Sequence, residues 1–152
     1  MNQDITGLLS KLNRLFWMMT VPALAFLVLG YLLHRMGRPI SPPFNNLRGW
    51  GIFLLILSVV LGVALPILLR TMFNRRAVRA KHVETADFES HQVRLVVISI
   101  SAAYVAGMAY LLLVPNLYLY GSVLVGLYGI YSAIPQERKL KGEMRFYGMG
   151  NK

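Results

Sequence analysis

Residues 95–136 read LVVISISAAYVAGMAYLLLVPNLYLYGSVLVGLYGIYSAIPQ, without one charged side chain. As a single helix rising 1.5 Å per residue, this run would be about 63 Å long, twice the roughly 30 Å hydrocarbon core of a bilayer. It must fold back, and Pro115–Asn116 near its middle supplies the turn signal. Residues 95–114 and 117–134 are therefore read as the third and fourth membrane spans, joined by a very tight turn.

Two more uncharged runs lie upstream. Residues 15–33 match the bilayer core in length, and residues 49–69, opened by Trp50 and closed by Arg70, span it with a little tilt. Pro39, Pro42 and Pro43 interrupt the chain between them, because proline cannot continue a helix. The expected fold is an all-α integral membrane protein: four transmembrane helices in two helical hairpins. In residues 1–14, Ile5, Leu8, Leu9 and Leu12 recur at helical spacing among Lys11, Asn13 and Arg14, which predicts an interfacial amphipathic helix. An extension of the first span is the competing reading. The basic residues before the first apolar run imitate a signal peptide, but LLHRMGR follows it in place of a small-residue cleavage site, so a retained signal anchor is expected.

The stretch 70–94, RTMFNRRAVRAKHVETADFESHQVR, divides the two hairpins, and residues 135–152 form a basic tail. With the amino terminus inside, the inner side carries thirteen Lys and Arg: two in the amino segment, six in the hinge and five in the tail. The outer side carries Arg35, Arg38 and Arg48. This bias predicts both termini and the hinge in the cytoplasm. The absence of cysteine and the short chain point toward a bacterial inner membrane.

Composition agrees with a membrane domain, since 56% of residues are hydrophobic and 14% charged, with mean hydropathy +0.53. The net charge of +10 sits in blocks beside the apolar runs, where it meets anionic lipid headgroups; no nucleic-acid partner is expected. Arg75, Arg76, Arg79 and Lys81 in the hinge, and Arg138, Lys139, Lys141 and Arg145 in the tail, are the candidate lipid or partner surface.

The four spans contain no Asp, Glu, Lys, Arg or His, which removes the usual groups of proton relays and axial haem ligation. No cofactor is expected. Hydroxyls remain: Tyr104 and Tyr128 fall at the same depth, as do Ser99 and Ser132, and Tyr110 lies near the level of Ser122. Small residues form rows with the i, i+4 spacing that lets helix backbones approach: Ser99, Ala103 and Gly107 on the third span, Ser122 with Gly126 and Gly129 with Ala133 on the fourth. In the hinge, His82, Asp87 and His91 are metal-type ligands, but their spacing matches neither H-E-x-x-H nor Glu-x-x-His, so no metal is assigned.

The leading functional reading is a non-enzymatic accessory, assembly or scaffold subunit of a membrane complex, with other subunits or further copies as partners. A homo-oligomeric channel or transporter lined by the hydroxyls is the alternative. A lipid-modifying enzyme using the hinge is the third reading, although the chain holds no Gly-x-Ser-x-Gly and no phosphate-cradling glycine loop.

Overall fold

A computed structural model describes residues 2–36, 46–80, 85–112 and 114–146, with side chains from residue 6 and, in the second segment, to residue 77. Expectations attached to Pro39, Pro42, Pro43, Lys81, His82 and the side chain of Arg79 lie outside the described residues. What is described is helical: α1 (Asn2–Arg35), α2 (Leu47–Val59), a π turn (Val60–Ala64), α3 (Leu65–Ala80), α4 (Thr85–Leu111), α5 (Asn116–Ala133) and α6 (Glu137–Phe146). Residues 6–35, 47–77 and 85–111 are long and apolar enough to cross a membrane; α5 and α6 make a fourth such stretch only when taken together, bent by 68°.

At the amino end the sequence left two readings open, a separate helix and an extension of the first span. No boundary separates residues 2–14 from 15–33; α1 passes through both. One stripe explains it, because Leu8, Leu12, Phe16, Thr20, Ala23 and Leu27 follow the three-and-four spacing of a single helix face and are all buried. Lys11 and Arg14 point outward from the same helix. The apolar side of the expected interfacial helix is thus packed against protein.

Local chemistry sets the other ends. Asn46 caps α2, its side-chain oxygen accepting from Gly49 N–H at 2.9 Å. Pro115, with φ −52°, precedes α5, and its carbonyl accepts from Tyr118 and Leu119 N–H. Pro66 lacks the N–H that the helix needs and its ring crowds the preceding turn. The chain answers with the π turn just before it, where Leu65 N–H reaches back to Val60 O.

α4 is the axis of the fold. α1 runs parallel to it, as contacts of Met19 with Tyr104 and of Gly30 with Tyr110 show. α5 runs antiparallel on another side, with Gly126 against Ala103 and Gly129 against Ser99. The α2–π–α3 rod lies on both α4 and α5; Gly62 of the π turn sits where all three meet, and a Cβ there would stand 2.9 Å from Val125 Cγ1 and 3.2 Å from Ala102 Cβ. The expected first hairpin is therefore open: α1 packs on α4, and α2 on α5 and α4, not on each other. Two apolar clusters hold the bundle. One surrounds Phe88 at the end where α6 lies, called the basic end below, and the other surrounds Leu54, Val105 and Leu119.

Candidate functional site

At the basic end, α3, α4 and α6 bring polar side chains together. α6 is amphipathic: Leu140 and Met144, at i and i+4, are buried in the Phe88 cluster, while Arg138, Lys141 and Arg145 are exposed. Docking of that apolar face fixes Lys139 and Glu143 beside it. On α4 the buried face runs Phe88, Gln92, Leu95, Val96, Ser99, and Gln92 is the one amide in it, 8% exposed. A buried amide requires a partner. Gln92 Nε2 donates to Glu143 Oε2, closing α4 onto α6.

Arg70, the residue that ends the second apolar run, faces this pair. Its Nε is buried without a hydrogen-bond partner. A cavity of about 30 Å³, room for ordered water, is lined by Arg70, Gln92, Ser99, Ser132, Lys139 and Glu143. On the other side of Arg70 and Glu143 lies an open groove of about 290 Å³, with Asn74, His91, Gly142 and Phe146 on its walls. His91 stacks flat on Phe73, ring centroids 4.1 Å apart and planes 11° from parallel.

The electrostatics are cationic. Burial lowers the His91 pKa from its ordinary value, and Arg70 and Arg94 lower it further. Burial along the cavity wall likewise lowers the pKa of Lys139, which stays partly solvent-exposed; Arg70 adds to the shift and Glu143 opposes it. His91 is accordingly neutral at pH 7. Between pH 6.5 and its lower folded value, the unfolded chain binds the proton that the folded chain refuses, so stability falls as pH drops through that window. The thermal midpoint in detergent is expected to fall between pH 7.5 and 5.5, and to fall less in His91→Gln. An equal fall in both proteins would remove His91 from the account.

The remaining sequence-predicted residues are distributed as follows. Ser99, Ala103, Ser122, Gly126, Gly129 and Ala133 are buried, and Gly126 and Gly129 meet the α4 backbone. Gly107 turns the other way, against the Phe26 ring of α1. Ser99 and Ser132 share the 30 Å³ cavity. Tyr104 and Tyr128 are not brought together: Tyr104 faces α1, while Tyr128 is 51% exposed on the outside of α5. Tyr110 packs edge-on to Tyr31 and His34 of α1. Equal depth along two helices says nothing of azimuth, and Ser99 and Tyr104 alone are about 140° apart around α4. Asp87 is exposed in the first turn of α4, and Arg75 and Arg76 are exposed on α3. Among the described residues no three His, Asp or Glu converge on a common point.

Tyr104 has a structural task that its position on the third span did not reveal. Its hydroxyl donates to Met19 O at 3.0 Å. Met19 O would ordinarily be served by Ala23 N–H, directly after Pro22, where a proline inside α1 loosens the helical ladder. Tyr104→Phe is expected to cost about 1 kcal/mol in a reversible unfolding titration. A loss below about 0.3 kcal/mol would mean that the bond contributes nothing net.

Gln92, Glu143 and Arg70 were not among the sequence candidates. The available signal was one amide interrupting an apolar helix face at Phe88, Gln92, Val96 and Ser99. Comparison with protein families, with curated proteins and with solved structures finds no match.

Proposed function

We propose that this chain is a four-span protein of a bacterial inner membrane, with both termini in the cytoplasm, that serves as a non-enzymatic accessory, assembly or scaffold subunit of a membrane complex. One observation carries the reading: α1 is attached along a single face, and the rest of it is an open apolar surface. Trp17, Met18, Val21, Val28 and Leu29 are each more than half exposed, and the α2–π–α3 rod presents Phe53, Ile56, Ile67 and Leu68 in the same way. In a membrane these faces take either lipid or another helix. The hydroxyls of the spans and the acids of the hinge are engaged in packing or dispersed over several faces, which gives less support to a hydroxyl-lined channel or to an enzyme built on the hinge.

Native mass spectrometry of the tagged protein, extracted gently from its own membrane, tests the subunit reading. Unrelated chains in fixed stoichiometry are expected. A closed ring of identical copies, or a lone chain, would overturn it. Orientation has its own test: a reporter fused after Lys152 should be active only in the cytoplasm, as the thirteen-to-three bias of basic residues requires.

A further inference from the structure

The α2–π–α3 rod keeps one line of residues turned inward over a distance that a plain α-helix does not allow. Leu54, Ser58, Gly62 and Pro66 are buried, and Arg70 follows with its Nε buried, so the inward line repeats every four residues. Four such steps carry an α-helix about 160° past its starting face, since each residue turns it by about 100°. The π turn at Val60–Ala64 holds one residue more per turn and takes out about 100° of that drift. It is this turn that brings Arg70 and Phe73 round to α4.

A second register lies one residue away. If the turn closed as α-helix, every position of α3 would rotate by about 100° and advance by about 1.5 Å, and each place on α4 would pass to the preceding residue. Leu65, Leu69 and Met72 would stand where Pro66, Arg70 and Phe73 stand, and all three are apolar. The two halves of the rod are unequally held. α2 packs on α5 and α4, with Gly51 against Tyr118 and Leu55 against Gly121, while α3 rests more sparsely on α4. The observed register also leaves Ser58 Oγ and Arg70 Nε on the rod, and Ser122 Oγ on α5, buried without a hydrogen-bond partner. Unpaired buried atoms are a cost of the state that holds them. Pro66 weighs the other way, because an α turn before it would lack one N–H and crowd its ring against the Gly62 carbonyl.

We propose that the π turn is a rotary joint: α3 takes two registers on α4, one residue apart, and closing the turn as α-helix withdraws Arg70 from the basic end and puts Leu69 in its place. Arg70 lines both the cavity and the groove there, so the two registers present different surfaces at that end. The joint is independent of the subunit reading, whose failure would appear in the partners and not in the register.

The chain has no cysteine, so the register is measurable by disulfide formation between introduced pairs. In the full chain in mild detergent, Phe73→Cys with His91→Cys reports the observed register, in which the two rings stack at 4.1 Å. Met72→Cys with His91→Cys reports the other. Both disulfides should form. Adding Pro66→Ala, which restores the missing N–H, should raise the ratio of the second disulfide to the first about tenfold. Deletion of Val63 removes the extra residue of the turn and leaves α3 facing α4 as observed, so it should lower the ratio about tenfold. No disulfide from position 72, or a ratio that does not move in these opposite directions, would overturn the joint. If Pro66→Ala fails to fold, the Val63 deletion decides alone, and an unmoved ratio there would overturn it.

Discussion

Gly129→Leu is expected to separate α5 from α4 and to leave little folded protein in detergent. A Cβ at position 129 collides with the carbonyl oxygen of Ser99, and Ala102 Cβ stands only 3.5 Å away. The obstacle is backbone inside a helix, so no rotamer change relieves it. Overpacking of this kind costs about 1–3 kcal/mol for small additions, and leucine adds three more carbons to the collision. Removing a helical glycine returns about 1 kcal/mol of propensity, which is too little to compensate. Gly126→Leu should behave alike, since a Cβ there lies 3.0 Å from Ala103 Cα. Gly142→Ala is the contrast: nothing lies within 4 Å of its added Cβ. That substitution should stabilise α6 by up to about 1 kcal/mol. Thermal midpoints of the three variants beside the wild type make the measurement. A Gly129→Leu midpoint equal to wild type would mean that α4 and α5 are not in this register.

Phe88→Ala is expected to destabilise the protein by about 3–5 kcal/mol, the range for a fully buried phenylalanine. Phe88 has no exposed surface and belongs to one buried cluster with Leu8, Leu12 and Phe16 of α1 and Leu140 and Met144 of α6, with the Phe73 ring of α3 at 6.4 Å. Side chains of four helices share this cluster, and the cavity left by alanine cannot close without moving at least one of them. The helix with least to lose is α6, held by Leu140, Met144 and the Gln92–Glu143 bond. Tryptic cleavage at Arg138 and Lys141 should accelerate in Phe88→Ala. Leu124→Ala, at a position 68% exposed on α5, should change stability by less than about 0.5 kcal/mol. Comparable losses in both variants would show that Phe88 is no special centre.

How much of this was legible in the sequence depended on range. The reversal at Pro115 followed from length and one proline, both local, and α4 indeed ends at Leu111 with α5 beginning at Asn116. The small residues at 99, 103, 126 and 129 were visible because close helix approach restricts side-chain size at fixed spacing. Gly107 obeys the same spacing yet serves α1, since a row of small residues names no partner. Of the two readings of the amino end, a separate interfacial helix and an extension of the first span, the continuous α1 favours the second, because the buried stripe from Leu8 to Leu27 crosses residue 14. Arg70, Gln92 and Glu143 are far apart in the chain, and only the docking of α6 brings them together. Sequence periodicity carries no record of such a meeting.

The position of α4 at the centre also has a consequence for biogenesis. It is the third long helix to leave the ribosome, and α1 and the α2–π–α3 rod find their main surfaces on it. In the membrane reading proposed above, the first half of the chain would emerge before the helix on which it mainly packs. Apolar helices still without a partner would then stay in lipid or beside the insertion machinery while synthesis proceeds at about 5–20 residues per second. In that reading, assembly waits on the third long helix of the chain, because α4 carries the main contacts of what precedes it.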